Sequence, residues 1–367
     1  MKARALVSYR LKHFALGAAL ALLLSACSQG PERTAADIRA DIARQIPMGI
    51  SDRAGWTNDL YAAFDTQDID PSHSSVCAAI AVIEQESTFH VDPSVSGLPQ
   101  IARAEIDRRA SVLHVPRFVV DAALGVLAPD GRSYAQHLAD IHTEHQLSDL
   151  FEQMIGAVPM GRHLLGGLNP VHTVGPMQVS VAYAQTHARG YPYPLEGSIR
   201  HELFSRRGGL YFGVKHLLGY PTHYPRMLYR FADFNAGQYA SRNAAFQYAV
   251  TVASGIPLTQ DGSLLLPDAT LAAPGATETV LRRLQPPLPM DAAAIRRDLE
   301  SSDGLAFEDT ALYHDVYAVA EALAKRPLPH ARVPDITLHG PKLTRKLTTA
   351  WYASRVDERY DRCLRRK

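Results

Sequence analysis

An all-α (α-rich) fold is what this chain predicts, on three observations. Apolar residues recur at three- and four-residue spacing through most of its 367 positions. Few stretches alternate at period two, which leaves strands little to build on. Proline and glycine gather between the periodic stretches, as loop punctuation does between helices. The composition is that of a globule, 46% hydrophobic and 20% charged, which excludes disorder throughout. Lys+Arg total 38 and Asp+Glu 37, so no strong charge draws the chain to nucleic acid or acidic lipid. With 3 Cys it is no disulfide-built miniprotein, and with one outstanding apolar run it is no polytopic membrane protein.

The elements follow in order. Arg4, Arg10 and Lys12 precede an apolar run from Phe14 to Leu24 and then small residues, the pattern of a removed export signal over residues 1–26. Residues 27–50 read as a tether that ends in a short helix, Thr34 to Ile46, with Thr34 as N-cap. The main domain is expected over 51–256. Helices are read at Asp52 to Phe64, Ser74 to Phe89, Ala102 to Leu113, Arg117 to Leu127 and Ser133 to Ile155. Pro159 to Pro176 is a loop, Met177 to His187 a short helix, and Tyr191 to Pro194 a turn. Ser205 to Leu218, Tyr224 to Asn235 and Ala240 to Ala253 complete the domain. Pro257 to Pro289, rich in Pro, Gly and Ala, reads as a linker or long loop, taken as a linker over 257–290. Residues 291–367 form a C-terminal helical region with helices at Asp291 to Leu299, Thr310 to Ala324 and Leu343 to Leu364.

One acid stands out. On the helix through Ala79 to Phe89, Glu86 shares a face with Ala79, Val82, Ile83 and Phe89, so its carboxyl faces a core or cleft. Glu84, about 200° around the helix, is the acid expected in solvent. A desolvated carboxyl keeps its proton to higher pH and can act as a general acid. The competing reading is a buried Glu that serves structure only.

Four segments, in order, carry a resemblance. Val82-Ile83-Glu84-Gln85-Glu86-Ser87-Thr88-Phe89 resembles the Glu-Ser motif of the soluble lytic transglycosylase family, whose fold is like goose-type lysozyme. Gly175-Pro176-Met177-Gln178-Val179-Ser180 resembles its Gly-Leu-Met-Gln motif. Gly208 to Leu218 looks like the helix before its last motif, and Phe231-Ala232-Asp233-Phe234-Asn235-Ala236-Gly237 resembles that motif, Ala-Tyr-Asn-Ala-Gly. The likeness covers roughly Ser74 to Val252. It implies a lysozyme-like helical domain that cuts the β-1,4 bond between N-acetylmuramic acid and N-acetylglucosamine in peptidoglycan. Glu86 would be the single acid and base. Ser87, Met177, Gln178, Asn235 and Tyr239 would bind sugar or support Glu86. No cofactor and no metal are implied.

Two departures accompany the likeness. Phe234 stands where the family has a Tyr whose hydroxyl reaches the Glu, a role open to Tyr239. About ninety residues separate Glu86 from Gln178, more than in the family, so residues near 101–170 read as a helical insertion. A half-match at Ser96 to Ile101 offers Gln100 instead. If the departures cost activity, the alternative is a lipoprotein that binds or scaffolds peptidoglycan without cutting it.

Leu24-Ser25-Ala26-Cys27 resembles the bacterial lipobox, which implies a palmitate-type acyl anchor on Cys27. Ser28 after it implies the outer membrane, facing the periplasm, with a cell-wall protein complex as a further partner. Cys77 and Cys363 can pair in an oxidising compartment or remain two buried thiols. His137, His142 and His145 read as a solvated polar face, not a metal site, and His201-Glu202 lacks the second His of a zinc-protease motif.

Overall fold

The computed structural model describes residues 33–157, 160, 163, 165–195, 197–338 and 346–366. The chain is all-α among them, with two small antiparallel ribbons. Residues 1–41 form one unit and residues 42–367 a second. Cys27 and the expected export signal lie outside the described residues. No helix among the described residues is long and apolar enough to cross a membrane.

The helices are α1 (Ala35–Gln45), α2 (Arg53–Asp65), α3 (His73–Glu86), α4 (Leu98–Val112), α5 (Arg117–Leu124), α6 (Tyr134–Ala139) and α7 (Glu144–Gly156). They continue as α8 (Val181–Thr186), α9 (Ile199–Leu203), α10 (Arg206–Leu218), α11 (Met227–Ala236) and α12 (Ala240–Ser254). The last four are α13 (Ala276–Leu281), α14 (Ala292–Glu300), α15 (Ala311–Ala324) and α16 (Thr349–Leu364). Strands β1 (Thr173–Val174) and β2 (Val179–Ser180) pair with Thr173 opposite Ser180, and β3 (Thr337–Leu338) with β4 (Leu347–Thr348). Thr34 takes the expected cap of α1, its Oγ1 accepting from Asp37 N at 3.2 Å.

Helix α3 starts at an N-cap, Ser72, which accepts from Ser75 N. It is buried all round from Val76 to Ile83, not along one stripe. Neighbours explain this: α10 and α16 both pack on it, and α16 also packs on α11. A sequence stripe shows the width of one contact, and α3 has several. Glu84 is accordingly not the solvent-facing acid expected. It pairs with Arg366 of the C-terminus at 2.8 Å, its side chain 14% exposed.

Three further expectations are corrected. The helix read over Ser133 to Ile155 is two, because Thr143 forms a capping box with Gln146 and starts α7 afresh. The helix read from Met177 begins only at Val181, since 173–180 fold as the β1–β2 ribbon with Gln178 left-handed at φ 51°. The 257–290 stretch is no free linker. It contains α13 and buries Leu264, Val280, Leu281 and Leu284 against α12, α14 and α15. Its Pro and Gly shape turns, while its sparse leucines and valines pack.

The C-terminal region therefore does not stand apart. Phe246 of α12 lies 5.0 Å from Phe307 and 5.7 Å from Tyr313 between ring centroids, inside one core. Cys77 of α3 and Cys363 of α16 form a disulfide with their Cα atoms 5.4 Å apart.

Candidate functional site

Glu86 is the last residue of α3, half-buried, where the helix meets Ser87 as C-cap. The fully buried stem beneath it fixes where its carboxyl projects. Against it lies Tyr352 of α16. Burial pushes the Tyr352 phenol well above its usual range, and the Glu86 carboxylate near it adds to that rise. The phenol thus keeps its proton beside the carboxyl group.

One turn earlier on α16, the buried Thr349 donates from Oγ1 to Asn235 Oδ1 at 2.8 Å. Residues three apart on a helix are face neighbours. Helix α16 therefore touches Glu86 and Asn235 from one face and brings these two predicted residues together. Asn235 itself is exposed, so the rest of its amide faces solvent.

The turn after Asn235 is pinned by Asp233. Its buried carboxylate accepts from Tyr220 Oη at 3.1 Å, Tyr224 Oη at 2.6 Å, Tyr239 N at 3.0 Å and Ser241 N at 2.6 Å. Burial raises its pKa to about 6, against the pull of those donors. Asp233 sits inside the motif, yet the sequence reading gave it no role.

The other predicted residues divide. Gln178 keeps a polar position: its Oε1 accepts from Thr173 Oγ1 at 3.1 Å, and its Nε2 reaches Gly175 O at 3.4 Å and Glu144 Oε2 at 3.5 Å. Ser87 is buried and its Oγ donates to Ile83 O at 3.2 Å, a bond that closes the end of α3. Met177 is fully buried and lies on Gly213 of α10, where any β-carbon would strike its Sδ. The preceding Gly175, at φ +78°, presses so closely on Leu203 O that only glycine fits. The Gly-Pro-Met-Gln segment and the glycines of α10 are thus partners in packing. This corrects the cleft-lining role expected of Met177.

Tyr239 is corrected as well. It is buried at the start of α12, with the Arg242 guanidinium 4.5 Å from its ring and Tyr220 at 5.1 Å. Its surroundings are Arg242, Glu308 and Arg230, and the hydroxyl facing Glu86 is that of Tyr352. Nearby, Tyr191 donates to Glu202 at 2.5 Å and Tyr183 stacks on His187 at 4.0 Å. Gln100 lies in the first turns of α4, apart from the β1–β2 ribbon.

Left-handed backbone occurs at several of these residues, as it does at Asp52, Asp68, His114, Met160 and Lys325 elsewhere. Thr88 (φ 50°), Phe89 (φ 61°), Gln178 (φ 51°) and Tyr239 (φ 63°) are left-handed without being glycine. Such conformations persist where the surroundings over-determine them, often at functional sites. Tyr352 and Thr349 were missed by sequence reasoning because they lie outside the stretch that resembles the transglycosylases. Their spacing on an amphipathic last helix was the one available signal.

Comparison with known proteins adds a family and a relative. A protein of Escherichia coli (strain K12), titled "Uncharacterized protein YaiW", is 49% identical over 350 residues, which is 94% of this chain and 96% of that one. No solved structure matches the chain. A family model described as "Protein of unknown function (DUF1615)" matches residues 49–366, from the start of the large unit nearly to its end. The chain belongs to the DUF1615 family.

Proposed function

We propose that the chain is a peptidoglycan lytic transglycosylase, with Glu86 as its single acid and base. The observation that carries this reading is the convergence on one face of α16: Tyr352 against Glu86 and Thr349 against Asn235. The family resemblance requires a Tyr hydroxyl at the Glu, and Phe234 cannot supply it. Tyr352 offers the same group from another helix.

The chemistry follows from one carboxyl. Protonated Glu86 gives its proton to the leaving glycosidic oxygen as the C1–O bond of the muramic residue breaks. The substrate's own N-acetyl group stabilises the cation, so no second carboxylate of the usual glycosidase pair is needed. Glu86, now ionised, takes the proton from the muramic C6 hydroxyl. That oxygen bonds to C1 and closes the 1,6-anhydro ring. Asn235 and Gln178 would hold sugar by hydrogen bonds.

The anchor belongs to the same reading. Acylated Cys27 would tie the protein to the outer membrane, facing the periplasm. The Cys77–Cys363 disulfide supports an oxidising compartment. A second reading has its own support. Ser87, Met177 and Tyr239 are spent on structure, as in a lipoprotein that binds or scaffolds glycan strands without cutting them.

One experiment separates them. The full chain is incubated with peptidoglycan sacculi and the released fragments are weighed by mass spectrometry. Anhydro ends, lighter than reducing ends by one water, are expected, and Glu86→Gln should abolish release while preserving co-sedimentation with sacculi. Release that survives in Glu86→Gln removes the site assignment. Co-sedimentation with no release by the parent selects the binder.

A further inference from the structure

Away from Glu86, a second cluster combines nitrogen and oxygen donors. His145 and Asp149 stand one turn apart on α7, and His201 comes from α9. One ligand atom from each lies within 4.8 Å of the other two. His145 Nε2 is 3.4 Å from Asp149 Oδ2. That nitrogen is buried and makes no hydrogen bond. Its ring is held flat on Phe204, centroids 4.4 Å apart and planes at 15°.

The separation has a meaning. Two ligand atoms each about 2.0–2.1 Å from a tetrahedral ion stand about 3.3 Å from one another. His145 and Asp149 already have that spacing. His201, its ring centroid 5.6 Å from that of His145 and its side chain exposed, has only to close a short gap. His145 and His201 line a cavity of about 440 Å³ together with Asp59, Glu202, Arg206 and Arg207. The two arginines do not oppose a cation freely. Arg206 is paired to Asp59 at 2.5 Å and Asp52 at 2.7 Å, and Arg207 to Glu202 at 2.7 Å.

We infer that His145, Asp149 and His201 form a binding site for a zinc-class divalent ion, with a water as fourth ligand. Two imidazoles and one carboxylate suit zinc and its neighbours, whereas calcium and magnesium need shells of oxygen. The ion would clip the start of α7 to α9, segments that only the fold brings together. The residue before His145 is Glu144, which meets Gln178, so the clip would also steady that polar group. The site shares no residue with the Glu86 constellation and does not depend on the proposed activity.

The test uses the full chain, stripped with EDTA and titrated with Zn²⁺ against a chromogenic chelator. One tight equivalent per chain is expected, unaffected by excess Mg²⁺ or Ca²⁺. His201→Ala and Asp149→Asn, both at exposed positions, should each weaken binding by at least about tenfold, since even the outer partners of metal ligands cost that much. The metal-free variants should melt like the parent. X-ray absorption should give a nitrogen and oxygen shell near about 2.0 Å without sulfur. Absence of a stoichiometric site, or tight binding unchanged in both variants, overturns the inference.

Discussion

At the scale of the residue, the electrostatics of burial set what each group can do. Tyr352 keeps its proton because its site is dry and a carboxylate adjoins it. His216 shows the opposite sign. Its ring packs against Tyr183 at 4.4 Å and Phe234 at 4.8 Å, and its buried Nδ1 makes no hydrogen bond. Burial, and then His187 nearby, lower its pKa to about 4 from the usual 6.5. Between those values the unfolded chain holds a proton that the native chain does not. Stability from this group is therefore complete above about pH 6.5 and falls as pH drops toward about 4, by on the order of 3 kcal/mol at most. Melting temperatures measured across that window should decline less steeply for His216→Phe than for the parent. Parallel declines would show that another group titrates there.

At the scale of the element, α16 is the piece that organises the site. Its buried face carries Thr349, Tyr352, Val356 and Cys363, and it packs on both α3 and α11. Under the proposed function, Tyr352 is a positioning residue for Glu86. Tyr352→Phe removes the hydroxyl nearest Glu86; one hydrogen bond to a charged group formed there during the reaction is worth about 1.5 kcal/mol, so kcat should fall about tenfold with KM little changed. The fold should survive, since only one oxygen is lost. A change in KM alone would assign Tyr352 to ligand binding instead. The β1–β2 ribbon and α10 make a second unit of this kind. Gly209 and Gly213 allow Pro176 and Met177 to sit on the helix, and that close packing presents Gln178.

At the scale of the whole molecule, the C-terminal third closes the structure. The disulfide joins residues 286 apart in sequence, linking α3, which carries Glu86, to α16, which carries Tyr352. Cross-links that close long loops restrict the unfolded chain most, and one of this span is worth roughly 3–5 kcal/mol. Replacing both cysteines by serine should lower the melting temperature markedly. Urea titration would measure the loss, and equal midpoints for variant and parent would show that the helix contacts suffice. A chain domain read from 51–256 alone would lack both the bond and the helix.

The sequence alone determined the all-α class, most helix positions and the Thr34 cap. These depend on local periodicity and capping, which neighbouring residues encode. It could not decide which faces of α3 are covered, whether Cys77 and Cys363 meet, or that 257–290 joins the core. Nor could it find Tyr352 and Thr349 beside Glu86 and Asn235, or His145 beside His201. Those are contacts between distant segments. Their partners are chosen by the packing of whole helices, and no spacing along the chain records it.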